Sequence, residues 1–341
     1  MRSLVSMEPV VRILKKIDKD KIVYNDLHIL RFYSSLVIVS GGKVIEVFEP
    51  ALKYCPLANS LYKNFRTLDK VKVNPLLFKK AVREAVEEKI SQLGFFTENR
   101  KIYQKEISIP YGASEMLMYA LRKRQIEAAV IVCDGAGTVI SSRPEIVQGI
   151  GARMNGLFFT TPFHTVVEKL EKNKCAAIPE GQIDQIEGVK IAIRLGYRNI
   201  AVTVNGYSGA ILSEIRELER IHNVSIVILV VCTTGIGKRR ILEIKQHADL
   251  VWSCGSGYIR SIIGKEAILQ MSCIIPVFVL TLKGMHFARS YVSGCKTIKD
   301  IDTDRQYMIS HTPQGEAIKV GNFKAYLCRT KLPVRSSKEP C

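Results

Sequence analysis

The sequence predicts an α/β protein: a mostly parallel, Rossmann-like sheet with helices on both faces, plus an N-terminal β-hairpin and helix region. Three observations predict it. From about residue 106, amphipathic helical stretches alternate with short apolar runs, the rhythm of a sheet whose strands are joined by covering helices. The runs at 128–133, 199–204 and 225–232 are apolar and β-branched throughout, as strands buried on both faces require. Each run stops abruptly in small polar residues and glycine: Cys133-Asp134-Gly135, Asn205-Gly206, Cys232-Thr233-Thr234-Gly235 and Ser253-Cys254-Gly255-Ser256. In a parallel sheet such ends share one edge, and ligands bind at that edge.

The elements follow in order. Residues 9–17 read as a helical segment. Residues 36–40 and 43–48 read as a hairpin, because Gly41-Gly42 supplies the turn between two β-rich runs. Residues 49–56 form a loop holding Cys55. Asn74 suits an N-cap and Pro75 a first helical turn, so a helix runs to Leu93 and Gly94 ends it. Its apolar face carries Leu76, Leu77, Ala81, Val82, Ala85, Val86, Ile90 and Leu93. Then helices are expected at 113–124, 164–172, 183–195, 209–221, 238–248 and 256–271. They precede strands at 128–133, 175–178, 199–204, 225–232, 250–253 and 275–280 respectively. Past Gly294 the alternation lapses. The division expected is 1–105 as a hairpin and helix region packed on the main unit, 106–290 as the ligand-binding α/β unit, and 291–341 as an irregular basic extension.

Composition narrows the class. With 341 residues and 47% apolar content the chain can bury a large core. No apolar run approaches the ~18 residues that span a bilayer, and the N-terminal stretch lacks a signal peptide's pattern, so a cytoplasmic protein with no membrane partner is expected. Nine cysteines spread over a long chain, with no C-x-x-C pair, read as reduced thiols. The formal charge of +18 favours anionic partners. Nucleic acid is disfavoured, because no helix shows a basic stripe interleaved with aromatics.

The glycine loops fit no standard nucleotide motif. After Gly135-Ala136-Gly137-Thr138 the third glycine of a dinucleotide fingerprint falls on Ile140. Gly235-Ile236-Gly237-Lys238 lacks a P-loop's first glycine, and Arg239 stands where its Ser or Thr belongs. A general anion site remains, since helix N-termini offer free N–H groups. Its candidates are Gly135, Gly137, Thr138, Thr233, Thr234, Gly235 and Ser256, with Arg153 and Asn155 adding contacts. Capping alone is the plain alternative for any one of these loops.

Cys133, Cys232 and Cys254 lie at strand ends, and Cys55 lies on a loop able to reach them. Together they are candidate ligands for an iron–sulfur cluster or zinc. Cys133 or Cys232 is alternatively a reactive thiol, with Asp134 as its acid/base neighbour; simple packing is the competing reading. A serine hydrolase is disfavoured, because Ala210 stands where the last glycine of a nucleophile elbow around Ser208 belongs. The six histidines show no metal-ligand spacing.

Several motifs together resemble the methanogenesis marker protein 8 family. They are Tyr54-Cys55-Pro56-Leu57, Tyr111-Gly112-Ala113-Ser114-Glu115, Cys133-Asp134-Gly135-Ala136-Gly137-Thr138, Gln148-Gly149-Ile150-Gly151, Arg153-Met154-Asn155-Gly156, Asp184-Gln185-Ile186-Glu187-Gly188 and Thr233-Thr234-Gly235-Ile236. They occur in order over residues 34–283. The resemblance implies a cytoplasmic archaeal protein associated with methane metabolism, with methyl-coenzyme M reductase or its assembly proteins as partners. Two departures are visible: Tyr33-Ser34 stands where a Cys-Gly pair is expected, and Cys254-Gly255-Ser256 where Cys-Ala-Ser is. Two functional expectations follow. One is an anionic coenzyme or precursor bound at the sheet edge. The other is a non-catalytic maturation or assembly factor for methyl-coenzyme M reductase or its cofactors, with a Cys-bound metal or iron–sulfur cluster as its variant form.

Overall fold

A computed structural model describes residues 26–33, 35–50, 75–208, 211–294 and 304–335. The expected helix at 9–17 and Cys55 lie outside these residues. The Gly41-Gly42 turn does join two antiparallel strands, β2 (Ser35–Ser40) and β3 (Lys43–Val47), with Ser40 opposite Lys43. Both glycines take left-handed φ values, as the turn demands. Strand β1 (His28–Phe32) pairs with β2 on one side, and on the other with β6 (Gly156–Thr160), giving a four-stranded antiparallel sheet. Helix α1 (Pro75–Leu93) lays Phe78, Val82, Ala85 and Val86 on this sheet.

The main sheet has twelve strands in the order β13-β15-β16-β14-β11-β12-β10-β9-β8-β4-β5-β7. Its centre is the expected parallel quartet: β4 (Ala128–Cys133), β8 (Asn199–Asn205), β9 (Ser225–Val231) and β10 (Leu250–Trp252). On one face lie α2 (Ala113–Arg122), α3 (Pro144–Gly151), α4 (His164–Lys172) and α8 (Leu282–Arg289). On the other lie α5 (Gln185–Arg194), α6 (Ile211–His222) and α7 (Lys238–His247). Asp184 caps α5, its carboxylate accepting from the Glu187 N–H at 2.9 Å. Among the described residues no helix is long and apolar enough to cross a membrane.

The protein is therefore mixed α/β, but its sheet is not mostly parallel. Outside the quartet only β11 (Leu269–Met271) and β14 (Tyr307–Ser310) run parallel to a neighbour, and that neighbour is each other. Three departures explain this. Gly135 and Gly137, both at positive φ, turn the chain back as β5 (Gly137–Ser141) beside β4 instead of opening a helix. Strand β5 then pairs with the short β7 (Ala176–Ala177). The stretch 256–271 is not one helix: a π-turn at Ile259–Ile263 ends near Gly264, and β11 follows, antiparallel to β12 (Val277–Val279). A Cβ at Gly264 would come within 2.7 Å of the Phe278 ring, so the chain passes there too closely for a packed helix face. Finally, the expected irregular extension carries β14, β15 (Glu316–Val320) and β16 (Phe323–Arg329), which with β13 (Val292–Ser293) pair antiparallel among themselves and join the sheet where β14 runs parallel to β11.

Gly137 sets the β4–β5 turn against the backbone of residues 181–182. A Cβ there would lie 2.4 Å from the Gly181 carbonyl, at a φ of +76°. Gly137→Ala is expected to lower unfolding free energy by about 2 kcal/mol or more, read as a lower urea midpoint with unchanged slope.

Candidate functional site

The four-stranded sheet roofs the C-terminal edge of the parallel quartet. From the roof, Arg31 of β1 stacks its guanidinium on the Tyr207 ring, 4.4 Å from the centroid, just beyond β8. A Cβ at Gly235 would touch both Arg31 Nη2 and the Tyr207 hydroxyl, so the arginine closes over the loop after β9. The Tyr207 hydroxyl donates to the Thr234 carbonyl. Arg31 Nε is buried with no hydrogen-bond partner, and burial lowers the guanidinium's pKa.

Lys89 is the second cationic neighbour of Cys232. Its Nζ donates to the Arg153 carbonyl at 2.6 Å and to Asn155 Oδ1, and it stands 4.4 Å from the Phe32 ring centroid. The side chain is only 3% exposed. Burial first, then the neighbouring Arg153 guanidinium, pull its pKa down to about 7. Arg153 itself takes a left-handed φ of 59° in the turn before β6. The same turn brings the Gly156 N–H onto the Cys232 sulfur. Among the described residues none of Arg31, Lys89 and Arg153 forms an ion pair with a carboxylate. Asp134, the carboxylate whose charge acts on Lys89, is itself paired with Arg100 at 2.7 Å.

The floor is made by the loops after β9 and β10. The Thr233 hydroxyl donates to the Trp252 carbonyl at 2.6 Å, and Thr234 Oγ1 accepts from the Gly255 N–H at 3.0 Å. The Cys254 sulfur accepts from the backbone N–H groups of Cys232 and Thr233. Burial nevertheless raises both thiols, Cys232 to about 12. Ser253, just before Cys254 in the chain, is fully buried, and its hydroxyl has no partner. Ser256 accepts from the Ile259 N–H at 3.2 Å and so starts the π-turn.

Arg153, Asn155, Cys232, Thr233, Thr234, Gly235 and Cys254 thus come together, with Ser256 at their border. Cys133, Asp134, Gly135, Gly137 and Thr138 lie at the end of β4 and the turn into β5, on the far side of β8 from this group. Cys133 is fully buried in the core, its thiol facing the Asp134 carbonyl, and burial pushes its pKa far up. β8 separates it from β9, so about 10 Å lies between Cys133 and Cys232 at ~4.8 Å per strand, too far to share a metal through ~2.3 Å bonds. Among the described residues no three His, Cys, Asp or Glu side chains are grouped to hold a metal ion. Asp134 accepts from the Phe96 N–H at 2.6 Å as well as from Arg100. The Gly135 N–H donates to Thr160 at 2.7 Å, and Thr138 accepts from the Asp184 N–H at 2.9 Å. Cys133→Ala is expected to cost about 1–2 kcal/mol of stability and to leave the alkylation rates of Cys232 and Cys254 unchanged.

Arg31, Lys89 and Tyr207 are the site residues that motif reading missed. Lys89 was legible: it occupies the helical position between Ala85, Val86 and Leu93, on the stripe that packs on the roof sheet. Arg31 sits in an otherwise buried strand, which is the comparable signal. Nothing in the sequence alone brings either one to the edge of the second sheet.

The family model described as "Uncharacterized protein conserved in archaea (DUF2099)" matches residues 28–292, which include every site residue named above. A curated relative, "Uncharacterized protein MJ0054" of Methanocaldococcus jannaschii, is 36% identical over 247 residues, spanning 72% of this chain and 83% of its own length. No solved structure matches. The chain belongs to this archaeal family.

Proposed function

We propose that this archaeal protein binds an anionic coenzyme or coenzyme precursor at the C-terminal edge of β8, β9 and β10, and that it serves methane metabolism in the cytoplasm. One observation carries the binding site: Arg31 and Lys89 both act on the Cys232 thiol at one sheet edge, Arg153 acts on Lys89, and none of the three basic side chains is ion-paired to a carboxylate among the described residues. Buried charge without a partner is costly, and an anion brought between these groups offsets that cost. The link to methane metabolism rests on the motif resemblance. In this reading residues 106–290 supply the strand ends and one roof strand, β6, and the preceding region supplies the other three roof strands.

The chemistry of the site is recognition. Arg31 presents a planar fork suited to two oxygens of a carboxylate or phosphate. Arg153 adds a second cation, and Lys89 beneath them regains its proton when negative charge arrives. Inorganic pyrophosphate is the simplest probe. At a concentration one hundred times its Kd it should stabilise the protein by about 2.7 kcal/mol, seen as a raised Tm against sodium chloride of equal ionic strength. Arg31→Gln should remove the shift. An equal Tm rise in salt alone, or an unaltered rise in Arg31→Gln, would refute the site.

The charge of +18 favours a second reading, a non-catalytic maturation or assembly factor for methyl-coenzyme M reductase or its cofactors that meets an acidic protein surface. That reading predicts salt-sensitive association with the reductase proteins that survives Arg31→Gln.

A further inference from the structure

Cys232 and Cys254 occupy the first turns beyond two neighbouring parallel strands. In β9 and β10, Val230 stands opposite Val251, so the two cysteines leave adjacent strands almost side by side. Adjacent strands lie ~4.8 Å apart, within the ~4.4–6.8 Å between Cα atoms that a disulfide spans. The Cys254 sulfur reaches the backbone N–H of Cys232 itself. Both residues hold left-handed φ values, 57° and 45°, which side chains other than glycine adopt only when their surroundings impose them. Neither thiol is bonded to another cysteine. Each has cationic neighbours: Arg31 and Lys89 for Cys232, Arg260 for Cys254.

We propose that Cys232 and Cys254 are a dithiol pair that reduces a low-molecular-weight acidic disulfide by thiol–disulfide exchange. The acidity of the substrate rests on the anion-site reading; the dithiol pairing does not. Two features fit the two steps. Two backbone N–H donors, of Cys232 and Thr233, point at the Cys254 sulfur and offset part of the effect of burial on its thiolate, so Cys254 attacks first. Its sulfur bonds to one sulfur of the substrate, the substrate S–S bond breaks, and the departing thiolate takes up the proton that Cys254 released. The Cys232 thiolate then attacks the Cys254 sulfur of the mixed disulfide. The Cys232–Cys254 bond forms, and the second substrate thiolate leaves and takes the Cys232 proton, which Lys89 is placed to carry. The substrate disulfide gains two electrons and two protons, and the two protein thiols lose them.

The test uses the full-length protein under anaerobic conditions with two disulfides of opposite charge, oxidised glutathione and cystamine. After an alkylating quench, peptide mapping reports the state of each cysteine. Expected is a Cys232–Cys254 disulfide whose formation is about tenfold faster with oxidised glutathione than with cystamine, a preference reduced in Arg31→Gln. In Cys232→Ser, Cys254 should retain a glutathione adduct, because the resolving thiol is gone. If Cys232 and Cys254 remain alkylatable with both reagents while the protein still shows its pyrophosphate-dependent Tm rise, the dithiol inference fails and the anion site stands. If the disulfide forms at equal rates with both reagents, the pairing holds and the acidic substrate class falls. Should Cys232→Ser fold poorly, Cys254→Ser, trapping the adduct on Cys232 more slowly, gives the same discrimination.

Discussion

Asp134→Ala is expected to remove about 3–5 kcal/mol of stability, a large share of the about 5–15 kcal/mol that holds a typical domain folded. The reason is the Arg100 guanidinium. It is 2% exposed, its Nε meets the Asp134 carboxylate at 2.7 Å, and it donates to the Lys101, Gly149 and Ile150 carbonyls. Its flat face lies 3.8 Å from the Phe95 ring centroid. Removing the carboxylate leaves that charge buried and uncompensated, and it also orphans the Phe96 N–H. The pair itself is worth far less than its rupture, since two buried charges lose their hydration when they meet. The double variant Asp134→Leu with Arg100→Met is therefore expected to recover most of the loss. Chemical denaturation of the three proteins measures this directly. An Asp134→Ala protein of normal stability that no longer binds pyrophosphate would instead make Asp134 a ligand-site residue.

Lys89→Met is expected to do the opposite to stability while abolishing anion binding. Lowering a lysine from 10.5 to about 7 corresponds to a penalty on the order of 5 kcal/mol for keeping it charged in the fold at neutral pH. Methionine removes that penalty at similar volume. It forfeits the bonds to the Arg153 carbonyl and Asn155 and the contact with the Phe32 ring, so a net gain of about 2 kcal/mol at pH 7 is expected. The pH dependence is more specific than the gain. The unfolded chain keeps the Lys89 proton up to about pH 10.5, whereas the folded protein releases it near 7. Protons bound by the unfolded state exceed those bound by the folded state across that window, so wild-type stability rises with pH there. Lys89→Met should lose this slope between pH 7 and 8.5. Two other groups bound the window. His28, lowered chiefly by burial, erodes stability only as pH falls below its ordinary 6.5. The raised thiols of Cys133, Cys232 and Cys254 oppose the lysine as pH passes their ordinary 9.0. Urea midpoints for both proteins at pH 7, 7.75 and 8.5 separate the lysine from these. A variant no more stable than wild type, with the same slope, would show that Lys89 carries no such burden.

How much of this was legible in the sequence follows the range of the interactions involved. Short-range signals were read well. The Gly41-Gly42 hairpin, α1 and its end at Gly94, and the quartet β4, β8, β9 and β10 are all set by turn chemistry, capping and apolar runs within a few residues. Loops that serve two purposes were misread. Gly135-Ala136-Gly137 has the left-handed glycines of a phosphate loop, and the same φ values build a hairpin. The stretch from Ile259 to Leu269 has helical apolar spacing, but Gly264 is pressed against Phe278 from a distant strand. The cysteines at strand ends were found, and the sheet order then separated Cys133 from Cys232 and Cys254. The roof over the site was out of reach, because only the pairing of β1 with β6, about 130 residues apart in the chain, carries Arg31 to the Cys232 loop.

The central claim is that uncompensated positive charge at the edge of β8, β9 and β10 waits for an anion. Calorimetric titration of inorganic pyrophosphate at pH 8, repeated in buffers of different ionisation enthalpy, tests it most directly. The prediction is uptake of about one proton per bound anion, as Lys89 regains its charge, with both the uptake and the affinity lost in Lys89→Met. Binding heats that do not change with the buffer, together with equal affinity in Lys89→Met, would contradict it.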